Sequence, residues 1–270
     1  MVGRSIYADD TNRVAHVKGC FFSLFSFFDT FDLAEGQNRK RKDIENMKEN
    51  EKKKLLAGSI FITMFVIWTI LIQLVDKQPL GQNGTDIGFA TFNCWFHELT
   101  GVNMTLYIIT DWLGLVPLFV CMIFAGIGFC QLVRRKSLFK VDSDIIILGV
   151  YYVVVILCYF IFEMIPINYR PVLINGVMEA SYPSSTTLLV ISVMPTLVEQ
   201  VNRRVKNRAI RKTICVLSIA FSVFMVLGRL ISGVHWFTDI VGSVFLSAGL
   251  IFVYKAFVLF YLQRCVRDAT

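Results

Sequence analysis

His235 and Asp239 stand four residues apart in the run Arg229-Leu-Ile-Ser-Gly-Val-His235-Trp-Phe-Thr-Asp239. At the start of a helix, that spacing stacks both side chains on one face. A carboxylate bonded to one imidazole nitrogen sets the tautomer and leaves the other nitrogen free to attack. Such a pair also supports a helix with no further role, and it is two arginines that shift the balance. Arg229 precedes His235 by six residues, and Arg170 lies further upstream. A guanidinium presents planar paired donors that match phosphate oxygens. The stretch Pro183-Ser184-Ser185-Thr186 adds hydroxyls and backbone N–H groups where a helix begins, a ready anion site. Proline suits that first turn, and simple capping by the serines is the plain alternative. Together these residues form a cationic, donor-rich pocket beside an oriented imidazole, which suits phosphoryl transfer from a lipid.

The elements that must hold these residues are membrane helices. Of the 270 residues, 55% are hydrophobic and 17% charged, and the mean hydropathy is +0.60. A soluble domain carries about a quarter charged residues. Apolar runs near 55–75, 112–133, 144–165, 184–201, 213–232 and 239–260 match the ~30 Å hydrocarbon core that a helix must cross. The expected fold is all-α, a polytopic membrane protein with a six-helix transmembrane bundle. Lys and Arg number eleven before Leu55, four in the loop after Val133, six in the loop after Val201 and two after Leu262. Of the three loops between, the first holds only Lys77, the second only Arg170, and the third neither type. Basic loops resist translocation, so both termini are expected in the cytoplasm.

Residues 1–54 form a separate cytoplasmic tail. Its Phe-rich stretch 20–33 is too short and too interrupted by Asp29 and Asp32 to span, and reads equally as an interfacial helix or a loose tail. The basic run from Arg39 through Lys54 is a helical lead-in and anchor beside the first span. The membrane domain occupies 55–262, with the chemistry-bearing core at about 144–255, and 263–270 is a second cytoplasmic tail. The net charge of +7 follows from this topology and calls for no nucleic-acid partner. The expected setting is the plasma membrane, with membrane lipids as surroundings and homo-oligomerisation left open. The seven cysteines include no CxxC pair, so neither a zinc site nor a disulfide framework is indicated. No metal or other cofactor is expected. The outer loop 76–111 is long for a connector and is expected to hold a short surface helix closing over what lies beneath. Asn83 and Asn103 begin triplets that read as glycosylation acceptors if the source is eukaryotic.

Polar groups at the outer ends of the last four spans, from Glu163 to Asp239, all fall on one side of the membrane. They resemble the superfamily of type-2 phosphatidic acid phosphatases and vanadium haloperoxidases. Arg170-Pro171 matches the end of its first motif, Lys-x6-Arg-Pro. Pro183-Ser184 begins its second, Pro-Ser-Gly-His, and Arg229-x5-His235-x3-Asp239 has the spacing of its third. The resemblance implies a metal-independent phosphatase acting on a lipid phosphate. His235 would form a phosphohistidine, Asp239 would orient it, and Arg170, Arg229 and the Ser184-Ser185 region would hold the phosphate.

Three positions depart from the pattern. Glu163 replaces the family lysine, Thr186 the histidine that acts as general acid, and Gly228 the serine before the arginine. A threonine hydroxyl cannot serve as general acid near neutral pH, a loss of about 10²–10⁴-fold in rate. Three accounts follow. A diphosphate substrate, as in isoprenyl diphosphates, leaves readily without protonation. Alternatively, His97 swings in as the acid. In the third account the protein is a degenerate relative that binds lipid phosphate or serves as a scaffold. In each, Glu163 is expected to pair with Arg170 or Arg229.

Overall fold

A computed structural model describes residues 44–268. The expectations for 20–33 and 39–42 fall outside these residues. The described chain forms α1 (Ile44–Leu74), α2 (Ala90–Thr100), α3 (Met104–Leu113), α4 (Leu115–Arg135), α5 (Ser143–Met164), α6 (Ser185–Arg204), α7 (Arg208–Ile231) and α8 (Phe237–Asp268). No strand occurs among the described residues.

Five runs are long and apolar enough to cross a membrane: α1, the continuous stretch Met104–Arg135, α5, α7 and α8. The sixth expected span, 184–201, forms α6 but is not among the five. Its position gives the reason. Helix α6 packs against α4, α5, α7 and α8 and buries Thr186, Thr187, Ser192, Thr196 and Gln200 alongside Leu188, Val190 and Val193. A helix enclosed by others has no need of lipid-facing apolar residues, and α6 takes hydrogen bonds from α5 instead. The Tyr151 hydroxyl donates to the Ser192 carbonyl at 3.0 Å, and the Tyr152 hydroxyl lies 2.7 Å from Thr196 Oγ1. The enclosing helices instead expose apolar belts: Ile60, Ile67 and Ile70 on α1, Val153, Leu157 and Phe160 on α5, and Val216, Ile219 and Val223 on α7. Such continuous apolar surface suits hydrocarbon rather than water.

Helices α1 and α8 approach closely at a pair of glycines. A Cβ at Gly58 would stand 2.8 Å from Val253 Cγ2 and 3.2 Å from the Gly249 carbonyl oxygen. Small residues permit this approach, and the added packing contacts hold helices together where the surroundings are as apolar as the side chains.

Residues 76–111 do hold a helix, α2, and the second span starts earlier than 112. Asn103 caps α3 by accepting from the Leu106 N–H at 3.0 Å, and the helix runs on through Gly114, whose φ of −59° and ψ of −17° are helical. This early start adds Tyr107 and Asp111 to the end of the bundle that carries Arg229. The α2–α3 junction rests on the turn between α7 and α8, where the Asn103 N–H donates to the Ser232 carbonyl at 3.0 Å. In that turn Gly233 has a φ of +69°, and a Cβ there would lie 2.0 Å from the Gly101 oxygen. Glycine alone meets both conditions.

Candidate active site

Three backbone segments meet at this end: the α5–α6 loop, the start of α6, and the turn into α8. Within the loop, the Arg170 N–H donates to the Glu179 carbonyl at 3.1 Å and the Ser181 N–H to the Asn168 carbonyl at 2.9 Å. Trp236 Nε1 donates to the Tyr169 carbonyl at 2.8 Å and fastens the loop to the α7–α8 turn. The first turn of α8 is held from two sides. Trp68 Nε1 donates to the Thr238 carbonyl at 3.1 Å, and Asn93 Nδ2 to Thr238 Oγ1 at 3.0 Å. The Ser243 hydroxyl donates to the Ser184 carbonyl at 3.0 Å, linking α8 to the start of α6.

His235 and Asp239 are both buried, but they do not bond directly. Nδ1 and Oδ2 are 3.8 Å apart, too far for a hydrogen bond. Ser181 lies between them. Its hydroxyl donates to Asp239 Oδ2, which also accepts from the Trp236 N–H at 2.9 Å. His235 Nδ1 stands 3.1 Å from Ser181 Oγ and 3.2 Å from the Ser181 carbonyl oxygen. The hydroxyl proton is directed at Asp239 and a carbonyl only accepts, so this network assigns the ring proton to Nδ1. The lone pair then sits on Nε2, which is buried with no protein partner among the described residues. Burial holds His235 well below the ordinary histidine pKa, and Arg170 and Arg229 push it further down. The imidazole is therefore neutral at pH 7.

The two arginines share an aromatic platform. Arg170 Cζ lies 5.6 Å and Arg229 Cζ 5.0 Å from the centre of the Tyr107 ring, both at cation–π distance. Arg229 is 1% exposed. Its Nη2 donates to Asp111 Oδ1 at 2.7 Å and to Thr186 Oγ1 at 2.5 Å. Arg170 Nη2 stands 3.1 Å from Glu179 Oε2. Nε and Nη1 of Arg229 and Nη1 of Arg170 are buried without a protein partner among the described residues.

Glu163 behaves differently from expectation. Among the described residues it pairs with neither arginine; Glu179 and Asp111 fill those places. It sits exposed at the end of α5 and lines a small cavity with Tyr182, Ser185 and His235. Ser184 occupies the position before α6 but makes no side-chain cap; its hydroxyl donates to Thr187 Oγ1 at 3.1 Å. Ser185 is half-buried beside His235 in that same cavity, whereas Thr186 is taken up by Arg229. His97, on α2, packs its ring 5.6 Å from that of Trp236. Burial lowers its pKa, with Glu98 acting in the opposite direction. Tyr107 and Asp111 were not singled out by the sequence, and Ser181 falls only within the polar stretch from Glu163 to Asp239. The available signal for Asp111 was an acid at the mouth of an apolar run, the same rule that singled out the others. Among the described residues no group of His, Cys, Asp or Glu could hold a metal ion.

Residues 145–262 match the family model of the PAP2 superfamily. No curated protein matches the sequence. Among solved structures, the fold is similar to the crystal structure of a transmembrane PAP2-type phosphatidylglycerolphosphate phosphatase from Bacillus subtilis. The TM-score is 0.55 at 16% identity, covering 75% of this chain and 96% of the other. Together with the five apolar helices, this similarity shows an integral, multi-pass membrane protein.

Proposed function

Because residues 145–262 match the family model of the PAP2 superfamily, we propose that the chain is a membrane lipid phosphatase cleaving a phosphate monoester or diphosphate on the extracytoplasmic side. The substrate is of the phosphatidic acid or isoprenyl diphosphate type. One observation carries this reading: a neutral, buried His235 Nε2 without a partner among the described residues, beside two guanidiniums that each keep at least one buried nitrogen, Arg170 Nη1 and Arg229 Nε and Nη1, without a partner there. Buried donors are rarely left unpaired, and a phosphate would satisfy them. In the reaction, Nε2 forms a bond to phosphorus as the bond from phosphorus to the lipid oxygen breaks. Arg170 and Arg229 offset the charge on the phosphoryl oxygens, and the N–H groups and the Ser185 hydroxyl at the start of α6 add donors. Asp239, acting through Ser181, stabilises the charged ring. Water then cleaves the nitrogen–phosphorus bond, releasing inorganic phosphate and restoring His235.

The leaving oxygen has no evident proton donor, since Thr186 accepts from Arg229. A diphosphate fits this best, because its departing phosphate is already a weak base. The proposed architecture has six spans, with α6 as the enclosed one, a membrane domain over 55–262 and both termini in the cytoplasm. We place it in the plasma membrane. The alternation of basic loops supports the orientation.

The test is phosphate release by purified, reconstituted protein from phosphatidic acid and from polyprenyl diphosphates. A His235→Ala variant should lose several powers of ten in rate, and an alkaline quench of wild type should retain phosphate on His235. Turnover surviving in the variant would remove His235 as nucleophile. A second reading, a non-catalytic lipid-phosphate binder, is favoured by the carboxylates already paired with both arginines. It requires saturable binding of the lipids, no hydrolysis, and no phosphohistidine.

A further inference from the structure

A second cationic recess lies at the opposite end of the bundle, between α1, α6 and α8. It is lined by Lys54, Lys255, Arg203, Glu199 and Asn202, with apolar walls that include Val198 and Leu259. Lys54 and Lys255 are both half-buried, and neither makes an ion pair among the described residues. Arg203 binds Glu199 at 2.7 Å, so three cations face one carboxylate. A half-buried ammonium without a partner is costly in apolar surroundings.

The three cations also share a depth. Lys255 lies eighteen residues into α8 and Arg203 eighteen into α6, each about 27 Å along its helix. Lys54 lies twenty residues before the end of α1, about 30 Å from it. These rises match the ~30 Å thickness of the hydrocarbon core, so the ammonium groups sit at the headgroup level of the leaflet opposite the His235 site. Lys54 is the last of a basic run and could reach water on its own, but Lys255 lies within an apolar span.

We propose that this recess binds the phosphate headgroup of an anionic glycerophospholipid from the cytoplasmic leaflet, with its acyl chains along the apolar walls. The proposal rests on the orientation given above and not on the hydrolase reading. Basic pockets between helices on the cytoplasmic side suit such headgroups, each cation contributing through the attraction of anionic lipid.

The test uses the full chain in phosphatidylcholine nanodiscs, with and without phosphatidylinositol, which carries no amine. Labelling of lysines by an amine-reactive reagent is followed by mass spectrometry, with exposed Lys136 and Lys140 reporting the general surface effect. Phosphatidylinositol should slow labelling of Lys54 and Lys255 about fivefold more than that of Lys136 and Lys140. Inorganic phosphate in phosphatidylcholine nanodiscs should not protect. Equal slowing at all four lysines, or equal protection by inorganic phosphate, would overturn the lipid site. As a second measurement, Lys255→Gln should retain less phosphatidylinositol in native mass spectra while retaining phosphatidylcholine unchanged. Unchanged retention of both lipids would also overturn it. Phosphate release measured on the same sample keeps this outcome separate from the catalytic reading.

Discussion

A histidine that attacks phosphorus must be neutral, and in His235 burial and two flanking arginines secure this. Its folded pKa lies below the unfolded value of about 6.5. The stability linked to the neutral ring is therefore present above that pH. It is lost as pH falls below it, because the unfolded chain takes up a proton that the folded chain resists. The same shift should keep the acid limb of kcat/KM below 6.5. An Arg170→Gln change removes one of the cations, so it should move that limb upward while lowering the rate. Comparing both proteins on one substrate cancels the ionisation of the substrate itself, and an unmoved limb would remove Arg170 as a cause. Asp111 offers a second test. It is 55% exposed and holds a guanidinium nitrogen that a phosphate could use. An exposed carboxylate of this kind contributes at most about 1 kcal/mol. Asp111→Asn should therefore lower the inhibition constant of inorganic phosphate by about two- to fivefold; a rise would show that Asp111 positions Arg229 instead.

At the scale of elements, the site depends on how tightly α8 sits against the segment that carries Ser181. One turn below Asp239, a Cβ at Gly242 would meet the Tyr182 ring at 2.4 Å. Tyr182 is fully enclosed, and its hydroxyl lies 2.7 Å from Thr69 Oγ1, so it has little room to yield. Gly242→Ala should cost about 1–3 kcal/mol by overpacking and displace Ser181, lowering both the melting temperature in detergent and the rate. Gly126, on α4, has nothing within 4 Å of its would-be Cβ. Gly126→Ala should melt no lower than wild type, since alanine is the better helix former by about 0.8–1.0 kcal/mol. Equal losses in the two variants would mean that the α8 contact is not what matters. The element that composition describes least well is α6. Its buried Ser192, Thr196 and Gln200 weaken its apolar signal because its neighbours, rather than lipid, form its surroundings.

For the whole molecule, the basic loops and the polar cluster mark opposite ends of one bundle. Epitope tags inserted after Gly84 and after Lys206 should be recognised on opposite sides of the membrane, the first on intact cells and the second only after permeabilisation. Recognition of both under one condition would overturn the proposed orientation. This separation also sets the two anion-suited regions apart, with His235 just before α8 and Lys255 eighteen residues into it, about 27 Å along the helix.

Local features of this protein were legible in the residues alone. Apolar run lengths locate α1, α5, α7 and α8 because a helix must cover a set thickness of hydrocarbon. Arg229, His235 and Asp239 were legible as a short run of chain with a fixed spacing, although His235 lies in the turn before α8 and Arg229 near the end of α7 rather than all on one helical face. Contacts between distant residues were decided by packing. Ser181 lies between the histidine and its carboxylate. Asp111 reaches Arg229 across 118 positions, and Tyr107 lies under both arginines. Thr186 holds a guanidinium instead of supplying an acid. No spacing rule links such pairs, because their distances depend on how α3, α6, α7 and α8 close around one another.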